Sequence, residues 1–174
     1  MTRTLHTPSY WSGIAASTIP FEDVADYSRW ACMLLENGFE GDGICALAGM
    51  EDESNLFVLR EWHNKALADL GVAPLEAQEA LSAHARGLME EFFAGRFTLG
   101  DLLQMLRDCY LDTGDPRLEP FHTLHGAWWD FEAADWGLSS RDEIPERVKR
   151  ECESFIAIHQ AEQARLGEGS KPSN

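Results

Sequence analysis

TLGDLLQMLRDCYLDTGDPRLEPFHTLHGAWWDF, Thr98 to Phe131, is the stretch on which the fold turns. Leu102, Leu103, Met105, Leu106, Cys109, Tyr110 and Leu111 recur at helical steps. After the polar run Asp112 to Pro116 come Phe121, Leu124, Trp128, Trp129 and Phe131. Two amphipathic helices joined by a tight connection account for this pattern. Thr98-Leu-Gly-Asp101 has the form of a capping box with Asp in place of Glu, and it starts the first helix, Leu99 to Leu111. Pro120 would remove an interior hydrogen bond from one unbroken helix beginning at Pro116, so the second is placed from about Pro120 to Ala134.

The same period extends in both directions. Towards the N-terminus, Val24, Tyr27, Ala31 and Leu34, with Trp30 beside them, form a stripe on a helix that opens near Phe21 and ends at Asn37-Gly38. Asp42 to Met50 is a short helix rich in small residues. Ser54 offers a cap to a helix carrying Leu56, Leu59, His63, Ala66 and Leu70, closed by Gly71. Pro74 opens another, with Ala77, Leu81, His84, Ala85, Leu88 and Phe92 on its stripe and Gly87 marking a close helix contact. Towards the C-terminus, Asp142 caps a last helix whose stripe is Ile144, Val148, Cys152, Phe155, Ile156 and His159. Strand-like alternation is absent. The expectation is an all-α chain: a compact orthogonal or irregular bundle of about six to seven helices. It comprises an N-terminal arm over 1–19, one helical domain over 20–166 and a disordered tail over 167–174.

Thirty acidic residues against fourteen basic ones give a formal charge of −16. That field opposes nucleic acid and anionic membranes and favours a basic protein partner. Six tryptophans leave some over for a surface, where Trp is favoured at interfaces. Cys32, Cys45, Cys109 and Cys152 are far apart and form no zinc-type pairs, and Cys32, Cys109 and Cys152, in helical apolar contexts, read as small buried hydrophobes of a reducing compartment. The first residues lack the apolar core of a signal peptide, and no run reaches the roughly 18 apolar residues of a membrane helix, so a soluble cytoplasmic protein is expected.

Five of the six histidines supply the candidate chemistry. His63, His84 and His159 sit at core positions of their stripes, where converging imidazoles would suit a metal; three separately hydrogen-bonded histidines are the simpler expectation. Glu119-Pro-Phe-His122 matches the Glu-x-x-His spacing of di-iron bundles, but no second copy exists, and Pro120 disfavours helical geometry at Glu119. His122 and His125 share a helix face followed by Trp128, Trp129 and Asp130, and these five are the candidate binding residues. A Gly-x-Ser-x-Gly elbow and a phosphate-binding glycine loop are both missing, and no catalytic residue is assigned.

Trp30-Ala-Cys-Met-Leu-Leu-Glu-Asn-Gly-Phe39 with Ala46-Leu-Ala-Gly49, and Gly95-Arg-Phe-Thr-Leu-Gly-Asp-Leu-Leu103 with Asp115-Pro116 and Phe121, resemble a pattern in small bacterial all-helical proteins of unknown function. The resemblance implies a helical domain and brings no catalytic residues with it. The charge, the tryptophans and the missing motifs together favour a protein-binding module over an enzyme, for example a toxin-neutralising immunity protein or an adaptor for a basic partner. The alternatives are a metal-binding protein or enzyme using His63, His84, His122 and His125 with nearby carboxylates, and a small-molecule sensor whose interhelical pocket is lined by residues such as Trp128 and His125. No cofactor is expected, and the oligomeric state is open.

Overall fold

The computed structural model describes residues 7–132 and 136–169. The chain is all-α: eight α-helices and one 3-10 turn, with no strand among the described residues. It divides into two compact units, 1–96 and 97–174.

The first unit holds α1 (Tyr10–Ala15), α2 (Ala25–Glu36), α3 (Asp42–Ala48), α4 (Leu56–Asp69) and α5 (Ala77–Phe93). Its core joins Ile14 of α1, Tyr27, Trp30, Ala31 and Leu34 of α2, Ile44 and Leu47 of α3, and Leu59, Ala66 and Leu67 of α4. Tyr27, Trp30, Ala31, Leu34, Leu59 and Ala66 are among the residues the helical period selects, and burying each Leu-sized side chain contributes about 2 kcal/mol. The α3 N-terminus is closed from α4, where Asp69 Oδ2 accepts the amides of Gly43 and Ile44 at 2.8 and 3.1 Å.

Within the stretch expected as an arm, α1 is a six-residue helix packed on α2 and α5. Ser9 caps it, its Oγ accepting from Ser12 N at 3.1 Å. Gly13 lies against the Trp30 indole so closely that a Cβ there would overlap the ring. The contact read from Gly87 is with α1 as well, since a Cβ on Gly87 would lie 2.7 Å from Ser12 N. Three starts shift from the sequence expectation. The helix α2 begins at Ala25 rather than Phe21, because Asp23 Oδ1 takes the Ala25 amide at 3.0 Å in a turn of its own. Asn55, not Ser54, caps α4 through the Phe57 amide. At α5 the residue before Ala77 is extended, and Leu75 O accepts the Thr18 hydroxyl instead of starting a helix at Pro74. The buried face of α5 also differs. Ala80, Ala83, Arg86, Gly87 and Glu91 are buried, Leu81, His84 and Phe92 are half-buried, and Ala77 is exposed.

The second unit holds α6 (Leu99–Thr113), α7 (Glu119–Trp129), a 3-10 turn (Arg141–Glu143) and α8 (Ile144–Gly169), with α7 packed on both α6 and α8. Leu102, Leu103, Leu106 and Cys109 of α6, Phe121, Leu124 and Ala127 of α7, and Ile144, Val148, Cys152 and Phe155 of α8 are buried. The capping box at Thr98 and Asp101 forms in both directions. Gly114, with φ 64°, closes α6 in the left-handed conformation that suits glycine. Glu119 is the first residue of α7 and Pro120 sits in its first turn, where a missing N–H costs little, so the expected displacement of Glu119 from helical geometry does not occur. The helix stops at Trp129; Ala134, its expected end, lies outside the described residues. The last helix runs through Gly169 rather than stopping at Leu166, and 170–174 lie outside the described residues. No helix among the described residues is long and apolar enough to cross a membrane.

Candidate functional site

The α6–α7 pair gathers most of the residues singled out from the sequence. Its connection is stiff. Asp115 is buried and accepts the Arg117 amide at 2.9 Å and two guanidinium nitrogens at 2.7 to 3.1 Å. Burial works to raise the Asp115 carboxyl, and the hydrogen bonds and charge of Arg117 overcome it and hold the group below its ordinary value. Arg117 also reaches Glu162 of α8 at 2.7 Å. This clasp fixes the end of α6 against the start of α7.

With Leu102, Leu106 and Cys109 turned inward, α6 presents Asp101, Gln104, Asp108 and Leu111 to solvent. The matching row on α7 is His122, His125 and Trp129. His125 Nε2 lies 3.0 Å from Gln104 Oε1, and the Gln104 amide nitrogen donates to both Asp108 oxygens at 2.9 and 3.0 Å. Arg107 donates to the same carboxylate at 3.2 Å. Because a carboxylate only accepts, the Gln104 nitrogen must face Asp108 and its oxygen must face the ring, so His125 Nε2 carries the hydrogen. Burial, then the Arg107 charge, lowers the His125 pKa; Asp108 opposes this and His122 adds to it. A neutral amide between imidazole and carboxylate cannot pass a proton on, so this chain orients His125 without making it a general base.

His122 stacks on Tyr110 with centroids 5.2 Å apart, and its Nδ1 is buried without a hydrogen-bond partner among the described residues. Trp129 stands out from the helix end, 65% exposed, with its ring 6.3 Å from His125. Trp128 turns towards Gly100 of α6, where a Cβ would come within 3.2 Å of its Nε1. Asp130 ends α7, and its carbonyl accepts the Trp136 indole N–H at 3.1 Å. Of the five sequence candidates, the structure therefore joins His125 and Trp129 with Gln104 and Asp108, directs His122 and Trp128 into packing, and gives Asp130 a backbone role. Gln104 and Asp108 were not assigned from sequence; their i, i+4 spacing on an exposed row is the signal that finds them.

The metal-candidate histidines have other partners. His63 is 1% exposed, and its Nε2 donates to Gly13 O at 2.8 Å between the rings of Tyr27 and Trp30. Burial, more than the Arg60 charge, lowers its pKa to about 4, against the Gly13 hydrogen bond. Burial also lowers His84, with the Glu22 charge opposing. His159 lies parallel to Phe155 at 6.4 Å. Among the described residues no three His, Cys, Asp or Glu side chains form a group that could hold a metal ion. Glu119 and His122 also part company, since Glu119 lines a cleft and His122 lies on Tyr110. No family model, no curated protein and no solved structure matches the chain.

Proposed function

We propose that the protein is an acidic protein-binding module that docks on a basic partner through the α6–α7 face, with Trp129 as its anchor. The carrying observation is the exposure of Trp129, a residue that concentrates binding energy when an interface covers it. His125 beside it is held in one orientation by Gln104, so part of the surface is pre-organised. Asp101 and Asp108 are exposed on α6, and Asp130, next to Trp129 in the chain, is exposed at the end of α7. Residues 97–174 contain fifteen acids against eight bases, a balance that speeds encounter with a basic protein and opposes nucleic acid. The four cysteines are free thiols, in keeping with a reducing, cytoplasmic setting. A toxin-neutralising immunity protein and an adaptor are the two concrete forms of this reading.

The test uses the wild-type chain and Trp129→Ala as baits in the source cell extract, at low and high salt. A partner of basic composition should be retained by the wild type at low salt and released by salt. Its affinity for W129A, once purified, should be weaker by roughly 30-fold or more. Equal retention of the same proteins by both baits refutes the reading.

A further inference from the structure

We infer that the second unit binds a small zwitterion with an apolar body, of the size and chemistry of a free α-amino acid, in a cleft formed by the start of α7, residues 136–138 and the first turn of α8. The cleft has a volume of about 410 Å³, within the roughly 300–1,000 Å³ of small-molecule sites. Pro120, Leu124 and Leu138 give it apolar walls. Trp136 provides a flat one whose position is set by the protein. Its Nε1–H is held by Asp130 O, and its six-membered ring rests on Gly126, where a Cβ would come within 2.7 Å of a ring carbon. An aromatic face fixed in advance spares a ligand the cost of ordering it.

Two opposite charges line this cleft. Glu119, the first residue of α7, is exposed and makes no ion pair among the described residues. Arg147 donates from Nε to Glu151 at 2.7 Å, and its two terminal nitrogens make no hydrogen bond among the described residues. In a chain of charge −16 a simple anion is repelled, so a ligand needs a cation for Glu119. Arg147 selects a carboxylate at the other end, and planar guanidinium recognises that group in a bidentate manner. Trp136 and the apolar walls take the body between them, with the indole face also favouring an ammonium. A plain amine gives the terminal nitrogens of Arg147 no acceptor beyond the carboxylate that Nε already holds. A segment inside a polypeptide does not place an ammonium and a carboxylate on one carbon. A free amino acid with an aromatic or branched side chain meets all three demands. The cleft residues Glu119 and Thr123 lie about a third of a turn round α7 from His125 and Trp129, so this site is separate from the docking face.

The experiment is calorimetric titration of the full chain with free apolar L-amino acids and with their N-acetyl and carboxamide derivatives. At least one parent compound should bind with Kd below about 10 mM, and each blocked derivative should bind about tenfold more weakly. In Glu119→Gln the penalty for N-acetylation should vanish while that for the carboxamide remains; in Arg147→Gln the reverse should hold. The comparison of derivatives on the wild-type chain stands even where a variant fails to fold. Absence of binding below that limit, equal binding of parent and derivatives, or an unchanged pattern in a folded E119Q overturns the inference.

Discussion

Acidification should weaken the first unit through one imidazole. His63 is buried among Tyr27, Trp30 and the Gly13 carbonyl, with the Arg60 charge acting on it, and its pKa falls from 6.5 to about 4. In the unfolded chain it titrates near its ordinary value. Between those two values the unfolded state holds a proton that the folded state excludes, so stability rises with pH across this window. The contribution is complete above about pH 6.5 and is lost as pH falls through about 4. A tenfold weakening of proton affinity corresponds to about 1.4 kcal/mol, so the fall from 6.5 to about 4 makes the loss about 3 kcal/mol. That is a large part of the roughly 5–15 kcal/mol by which domains are stable. Urea unfolding of the wild type and of His63→Phe at a series of pH values isolates the effect, because His84 and His125, whose pKa values are also lowered, remain in both proteins. The variant loses the bond to Gly13 and should be less stable at neutral pH, yet its stability should decline less between pH 6.5 and 4. A His63 ring that titrates near 6.5 by NMR, or equal declines in the two proteins, refutes the reasoning.

Thiol chemistry separates the cysteines. Cys109 and Cys152 are buried as expected, and burial before nearby acids pushes their thiols up to about 11 and about 12, whereas Cys45 and, contrary to the burial expected from its apolar helical context, Cys32 are exposed. A colorimetric thiol reagent at about pH 8 should therefore modify two cysteines quickly in the native protein and all four in denaturant. Gly13→Ala should cost at least about 2 kcal/mol by urea unfolding, since the new methyl would occupy the position of the fully buried Trp30 ring. Thr98→Ala removes one half of a formed capping box on an exposed turn and should cost about 1 kcal/mol, measured the same way.

The long helices were legible because their apolar residues face one way. The rows Tyr27, Ala31, Leu34 and Val148, Cys152, Phe155 are buried as their spacing requires. The first helix was not legible, since six residues hold too little of a period to be seen and its stability is tertiary. Gly87 announced a close contact without naming its partner, which is Ser12. The buried face of α5 departs from its apolar stripe for a related reason. Arg86 and Glu91 look like solvent-facing residues, but Arg86 lies over the Trp11 ring at 4.5 Å and pairs with Glu90. Glu91 Oε1 accepts the Ser9 amide and the Ser12 hydroxyl, both at 2.8 Å.

The candidate residues divide along the same line. The shared face of His125 and Trp129 follows from helical spacing, because it depends on α7 alone. The partner of His63 is a carbonyl fifty residues away, and the cleft needs Glu119, Trp136 and Arg147 from three separate segments. A periodic sequence states which side of its own helix a residue occupies; it does not state what that side meets. Chemistry at this protein's sites depends on the second kind of information. Glu91 shows how much can follow from it: the partners that make its burial tolerable are supplied by α1 and its cap, in a segment whose sequence shows no steady period.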